Sequence, residues 1–127
     1  MLENEISKIV LDAAITVHQT IGGPGLLESY YETALAYELK QRGLHVNTQK
    51  IVPIFYNGVE IGVPYRLDMI IEDKVIIECK AIDKYNPVFA AQLLTYLRLT
   101  NLKLGLLINF GLPKIRDGFT RVVNGLA

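Results

Sequence analysis

The first third of the chain is patterned with the period of helices. Apolar side chains recur at three- and four-residue intervals within residues 5–20, which predicts a helix that buries one face. The glycine-rich segment IGGPG ends this helix, and we interpret it as an inter-helix turn because its glycine spacing matches no phosphate-binding loop. A second helix is predicted over residues 26–42, with Gly43 as its end.

Three strands are expected next, because short stretches rich in β-branched and apolar residues follow one another. The first covers residues 46–56 and ends at Asn57-Gly58, a strong hairpin signal. The second covers residues 61–71, where Pro64 is tolerated near the start or at an edge. The third covers residues 74–80.

The last part of the chain predicts a helix followed by strands. Asn86-Pro87 has the character of an N-cap and a first helical position, and the helix continues to about Thr100. Residues 104–110 are predicted as a predominantly apolar strand and residues 119–123 as a short last one. The order α-α-β-β-β-α-β predicts an α/β fold, a sandwich with a mixed central sheet.

Composition changes this picture only in part. The length suits one domain, residues 1–127, and a single cysteine excludes a disulfide framework or a cysteine-based zinc site. Without an apolar run of bilayer length or the layout of a secretory signal, we expect a cytoplasmic protein with no membrane partner. The net charge is zero, but the last third is basic. Lys114, Arg116 and Arg121 there contact backbone phosphates or are simply solvated.

The stretch VIIECK, residues 75–80, places charge in what otherwise resembles a buried strand. Side chains of a strand alternate between its two faces, so Glu78 and Lys80 point one way and Cys79 the other. Cys79 is interpreted as a small core residue. The charged pair requires an explanation.

Asp68, on the preceding strand, supplies one, provided that the register is right. If the hairpin closes with three loop residues, Asp68 faces Glu78, whereas a two-residue loop would place Asp68 opposite Ile77 on the wrong face. We predict the first register. Two carboxylates held this close repel each other unless a cation lies between them, and oxygen ligands with room for water suit magnesium or manganese.

The competing interpretation is structural: an ion pair between Glu78 and Lys80, with a second between Asp68 and Arg66. A lone Asp with a Glu-x-Lys triple occurs often by chance, so this alternative is strong on those four residues alone. Other parts of the chain favour the metal site.

Polar side chains on two of the predicted helices favour the metal site. Glu28 lies at the flank of an apolar stripe, where it either turns toward a partner or stabilises the helix start by its charge. Gln92 and Tyr96 share one face of the third helix, where the amide needs a polar partner. His18 and His45 have no ligand spacing and are expected at the surface.

Taken in order, five motifs of the chain resemble the GxxExxY family, which is placed in the PD-(D/E)XK nuclease superfamily. The resemblance extends over nearly the whole chain and rests on these segments: Gly25-Leu-Leu-Glu28-Ser-Tyr-Tyr31, Arg66-Leu-Asp68, Glu78-Cys-Lys80, Gln92-x-x-x-Tyr96 and Leu-Ile-Asn109-Phe-Gly111. The proline that often precedes the first aspartate is replaced by Leu67.

The resemblance implies a restriction-endonuclease-like α/β/α sandwich and a metal-dependent nuclease. Asp68 and Glu78 would hold Mg²⁺, or Mn²⁺, with Glu28 as an accessory ligand or base. Lys80 would be the catalytic lysine.

Gln92, Tyr96 and Arg66 would then position substrate or water. The substrate is expected to be DNA, with RNA less favoured. Because the protein is small, a homodimer or a partner is expected to supply specificity. The alternative is a non-catalytic nuclease-fold module that binds nucleic acid or a protein, since a fold alone does not determine function.

Overall fold

The structure, a computed structural model, describes residues 1–126. Its elements in chain order are α1 (Glu3–Ile21), α2 (Glu28–Gln41), β1 (Val46–Val52), β2 (Phe55–Tyr56), β3 (Val59–Glu60), β4 (Tyr65–Ile71), β5 (Val75–Lys80), α3 (Pro87–Thr100), β6 (Leu104–Asn109), α4 (Ile115–Gly118) and β7 (Phe119–Val123). Within residues 1–126 no helix is long and apolar enough to cross a membrane.

The central sheet has the strand order β1-β4-β5-β6-β7. Only β5 and β6 run parallel, because α3 carries the chain across one face between them, and the other neighbouring strands are antiparallel. One face of the sheet packs against α1 and α2, and the other packs against α3. The predicted α/β sandwich with a mixed sheet is confirmed.

The helices agree with the prediction, as does the start of α3. Asn86 is its N-cap, and the Asn86 side chain accepts a hydrogen bond from the Val88 N–H at 3.0 Å. The short helix α4 was not indicated by the sequence pattern, since four residues show no period.

The first two predicted strands are wrong in extent. A continuous strand over 46–56 does not form, because β1 ends at Val52, just before Pro53, which has no N–H to donate. The chain then forms a separate hairpin of β2 and β3, turning at the predicted Asn57-Gly58, where both residues have positive φ. The strand predicted over 61–71 begins only at Tyr65, beyond Pro64.

The register between β4 and β5 is the predicted one. Ile71 pairs with Val75 and Met69 with Ile77, so that the next positions along the two strands are Asp68 and Glu78. The turn between them is closed by a hydrogen bond from the Lys74 N–H to the Ile71 carbonyl, at 3.0 Å. The two acidic residues are therefore neighbours across adjacent strands.

On its other side, β4 is interrupted at Asp68. Its pairing with β1 includes Thr48 with Met69 and Lys50 with Leu67 but omits the position between them, where Gln49 adopts a φ of 54°. Regular alternation would place Leu67 and Met69 on one face. Instead, Met69 packs toward α1 and α2, whereas Leu67 packs toward α3. The sheet thus changes its alternation at Asp68.

The prediction of a surface position is wrong for His18 and confirmed for His45, which is exposed. Only 4% of His18 is exposed, and its Nε2 lies 3.2 Å from the Phe110 carbonyl oxygen. The aromatic neighbours Tyr31 and Phe110 enclose the ring. A single histidine on a helix gives no sequence signal of such a partner 92 residues away.

The carboxyl ends of β5 and β6 are joined through Asn109. Its Oδ1 accepts hydrogen bonds from the N–H groups of Ile82 and Gly111, and its Nδ2 donates to the Ile82 carbonyl, all at about 3 Å. Gly111 leaves no room for a side chain, since a Cβ there would lie 2.4 Å from the Ile82 carbonyl oxygen. This junction fixes the chain directly after Lys80.

We expect Asn109→Ala to lower the free energy of unfolding by about 2–4 kcal/mol, because it leaves buried polar groups of the junction unpaired. Asn124→Ala is the matched control: it removes one side-chain bond, from Nδ2 to the Leu102 carbonyl, and should cost about 1 kcal/mol. Urea denaturation measures both. Equal losses in the two variants would contradict the role of Asn109.

Candidate active site

A pair of carboxyl groups lies at the centre of the candidate site. The Asp68 Oδ2 accepts a hydrogen bond from the backbone N–H of Cys79 at 2.8 Å, which draws this carboxylate against β5. Glu78 is only 5% exposed, and its Oε1 is buried without a hydrogen-bond partner among residues 1–126. A buried oxygen without a hydrogen-bond partner costs folding free energy, so binding a proton or a cation at this oxygen would stabilise the site.

Burial is the main cause that raises the pKa of Glu78 to about 9. The charge of Asp68 and a hydrogen bond between the two carboxyl groups raise the pKa further, whereas Lys80 opposes the shift. At neutral pH the isolated pair therefore retains a proton. A divalent cation can take its place, and hard oxygen donors of this kind suit Mg²⁺ or Mn²⁺.

Lys80 leaves the end of β5 on the same side as Glu78. Its Nζ lies 4.3 Å from the centre of the Phe89 ring on α3, at the distance of a cation–π contact. The two ion pairs of the structural alternative, Glu78 with Lys80 and Asp68 with Arg66, are absent from residues 1–126. The ion pairs found in that part of the chain are two that Arg42 makes, with Asp12 and Glu38.

Glu28 is the first residue of α2. It lies in the first helical turn, where a negative charge is favourable. Burial raises its pKa, Lys80 lowers it and Asp68 raises it, so the carboxyl group is close enough to sense both charges.

Tyr31 fixes the entry of the chain into α2. Its hydroxyl donates to the Gly23 carbonyl at 2.8 Å and accepts from the Leu26 N–H at 3.1 Å. The ring is fully buried and stacks on Phe110, with 4.8 Å between the ring centres. Because Glu28 begins the helix that this contact anchors, Tyr31 positions its carboxyl group.

Two residues of the site were missed by the sequence analysis. Glu32 lies one helical turn after Glu28, and burial together with the charge of Asp68 raises its pKa. The Gln49 side-chain amide donates to the Glu32 carboxylate, at the point where β1 loses its regular pairing opposite Asp68. The four-residue spacing of Glu28 and Glu32 could have indicated that both face the site, since residues four apart share one face of a helix. Nothing in the sequence indicates the irregular backbone at Gln49.

The three residues predicted to position substrate, Gln92, Tyr96 and Arg66, differ from one another in their surroundings. Tyr96 stacks on Tyr65, with 4.0 Å between the ring centres, and burial raises the pKa of Tyr65, with smaller contributions from Tyr96 and Glu78. Gln92 and Arg66 are exposed and form no side-chain hydrogen bond within residues 1–126. The structure thus brings Tyr65 within electrostatic reach of Glu78, stacks Tyr96 on Tyr65, and leaves Gln92 and Arg66 without a side-chain hydrogen bond within residues 1–126.

The protein side chains alone do not form a complete metal-binding site. Within residues 1–126, no three Asp, Glu, His or Cys side chains converge closely enough to hold an ion by themselves. The structure brings Asp68 and Glu78 into contact, with Glu28 nearby. Mg²⁺ is commonly bound by one or two carboxylates together with water and substrate phosphate, so this pair fits such an ion.

The raised pKa of Glu78 predicts the pH dependence of stability. Between the ordinary value of 4.5 and about 9, the folded protein keeps a proton that the unfolded chain has released. The free energy of unfolding must then fall as pH rises, by up to about 1.4 kcal/mol per pH unit. Glu78→Gln should remove most of this slope in urea denaturation with EDTA between pH 5 and 9.

Glu60→Gln, at an exposed position, serves as the control and should leave the slope unchanged. The same slope in Glu78→Gln as in the wild type would contradict the assignment of the retained proton.

Comparison with known families identifies the superfamily of the chain. Residues 4–122 match the PD-(D/E)XK nuclease superfamily, whose members are nucleases that generally use divalent metals. No curated protein and no solved structure matches the chain. The mixed five-stranded sheet with its flanking helices is consistent with the restriction-endonuclease-like fold of that superfamily. The chain therefore belongs to the PD-(D/E)XK nuclease superfamily.

Proposed function

We propose that this protein is a member of the GxxExxY family and a metal-dependent nuclease that hydrolyses phosphodiester bonds in DNA, with RNA as the less favoured substrate. The observation that carries the proposal is the buried pair of Asp68 and Glu78, in which Oε1 of Glu78 has no partner within residues 1–126. A carboxylate pair of this kind is costly to maintain unless it binds something.

Asp68 and Glu78 hold Mg²⁺ in this proposal, and Mn²⁺ substitutes for it. Glu28, at the start of α2, would be an accessory ligand or base, and water and substrate phosphate would complete the ligand set. When bound, the ion supplies a Lewis acid for the scissile phosphate and favours the deprotonation of water.

Lys80 acts on the attacking water and on the charge that develops at the phosphate. Its Nζ orients the water and donates a hydrogen bond to a phosphoryl oxygen as negative charge accumulates there. The Phe89 ring beneath it restricts the side chain, and the carboxyl groups of Glu28 and Glu78 lie within electrostatic reach. Such prior placement lowers the cost of organising the transition state.

The residues around this centre position the substrate. Tyr96 is held by its stacking on Tyr65, the tyrosine that lies within electrostatic reach of Glu78, and the exposed Gln92 and Arg66 are available for the nucleic-acid backbone. We propose that the protein acts as a single domain in the cytoplasm, with a homodimer adding to its grip on substrate.

A second candidate function is a non-catalytic module that binds nucleic acid or a protein. Two observations favour it: the net charge is zero, and no three ligands within residues 1–126 form a cage before substrate arrives. The two functions differ in a single outcome, cleavage.

We expect the wild type to cut DNA in Mg²⁺ or Mn²⁺ and not in EDTA. Asp68→Asn, Glu78→Gln and Lys80→Met should each lower the rate by on the order of 100-fold or more, because each removes a charge from the reacting centre. Single- and double-stranded DNA and RNA, incubated with each variant and resolved on gels, provide the measurement.

Asp73→Asn is the matched control, since Asp73 is exposed in the β4–β5 turn, which begins about 10 Å along the strand from Asp68. It should cut at the wild-type rate. Binding of nucleic acid without cleavage under every metal condition would replace the nuclease by the binding module.

A further inference from the structure

A cavity of about 250 Å³ lies between the last turns of α1 and the segment that leads into α4. His18 and Gln19 line it on one side and Lys114 and Arg116 on the other, with Ile15 and Ile115 among the remaining walls. None of the residues that line it is acidic. It is separate from the Asp68–Glu78 pair, neither of which contributes to its walls.

The charge of this cavity is positive and uncompensated. Lys114 and Arg116 are both exposed, and neither takes part in an ion pair within residues 1–126, where the two ion pairs present belong to Arg42. Two cations facing a concave surface without a carboxylate attract an anion. The guanidinium also offers several donors in a fixed plane, which suits phosphate oxygens.

His18 gives the cavity a rigid wall. A carbonyl oxygen only accepts hydrogen bonds, so the contact at 3.2 Å requires the His18 Nε2 to carry the hydrogen and donate it to the Phe110 carbonyl. The other ring nitrogen, Nδ1, forms no hydrogen bond within residues 1–126. The ring is therefore held in orientation and keeps one polar atom uncommitted.

Phe110 connects this wall to the candidate active site. Its N–H donates to the Lys80 carbonyl at 2.8 Å, while its carbonyl accepts from His18. A single residue thus separates the backbone of Lys80 from the His18 ring. Because β5 and β6 are parallel, both end at this edge of the sheet, so the cavity and Lys80 share one end of the molecule.

We infer that this cavity binds a phosphate group of the nucleic-acid strand, outside the reacting centre. The inference rests on the proposed function for the identity of the anion, and its chemistry is that of a phosphate held by Lys114 and Arg116, with the His18 ring as part of the cavity wall. The phosphate is a terminal monoester or an internal diester of the strand. Either one would fix the strand relative to Lys80.

Arg121, which the sequence grouped with the other two, does not belong to this site. Its guanidinium donates to the Asn4 side chain at the other end of α1, and the residue does not line the cavity. The basic residues of the C-terminal third are thus divided between two surfaces.

The two histidines of the chain make the site directly observable. Inorganic phosphate added to the full-length protein at constant pH, followed by proton NMR, should shift the ring signals of His18. The exposed His45 is the internal control and should not move. Sodium chloride at the same ionic strength should leave both unchanged, because screening alone binds nothing in the cavity.

Variants test the cations without touching the reacting centre. Lys114→Gln and Arg116→Gln should each weaken phosphate binding and oligonucleotide binding in EDTA by about 3- to 10-fold, and lower the slope of log K against log salt by about 1. Lys103→Gln is the matched control, since Lys103 precedes β6 at its opposite end, about 20 Å from Phe110. It should change binding less than twofold.

Binding of three oligonucleotides distinguishes a terminal phosphate from an internal one. The first carries a 5′-phosphate, the second a 3′-phosphate, and the third has hydroxyl groups at both ends. Tighter binding of one phosphorylated strand, lost in Lys114→Gln, assigns the cavity to that terminal monoester. Equal binding of all three, weakened equally by the variant, assigns it to an internal phosphate. Both results support the site.

An unshifted His18 signal together with oligonucleotide binding unchanged in Lys114→Gln and Arg116→Gln would overturn the inference. None of these readouts requires cleavage. If the protein binds phosphate in this cavity but cuts no nucleic acid, the phosphate site is supported and the nuclease activity is refuted. If the protein cuts nucleic acid equally well in both variants and the His18 signals do not shift, the nuclease activity is supported and the phosphate site is refuted.

Discussion

The burial of Glu78 against Asp68 is the constraint on which the rest of the structure depends. A carboxyl group that is 5% exposed, with one oxygen unpaired within residues 1–126, can be tolerated only if it keeps a proton or binds a cation. The raised pKa of Glu78 means that the carboxyl group keeps its proton when no metal is bound. In the proposed function, a divalent cation replaces that proton. A strand that served only to fill the core would have used an apolar side chain at this position.

The surrounding elements hold this pair in place. The Cys79 N–H fixes one oxygen of Asp68, and the irregular backbone at Gln49 breaks the β1–β4 ladder at the same point. Tyr31 anchors the start of α2, where Glu28 lies within electrostatic reach of Asp68 and Lys80, while Phe89 restrains Lys80. Rigid secondary structure therefore supplies most of the geometry, which is the requirement for chemistry that depends on prior placement.

The secondary-structure elements and the Asp68–Glu78 pair are predictable from the sequence, because both follow from local rules. Helical period predicts α1, the N-cap signal at Asn86-Pro87 predicts α3, and the length of one turn places Asp68 next to Glu78. Features set by distant contacts gave no such signal: the burial of His18 by Phe110, and the bond between Gln49 and Glu32. The early end of β1 at Val52 was readable from Pro53 and was missed, because the apolar pattern continues through it.

Crystals of the protein soaked in manganese chloride would show whether Asp68 and Glu78 share a divalent cation. We expect an anomalous difference peak about 2 Å from an oxygen of each carboxylate, with the unpaired Oε1 of Glu78 among the ligands. The same soak of Glu78→Gln should lose the peak. Manganese bound only at exposed carboxylates such as that of Asp12, with the pair unchanged, would contradict the account.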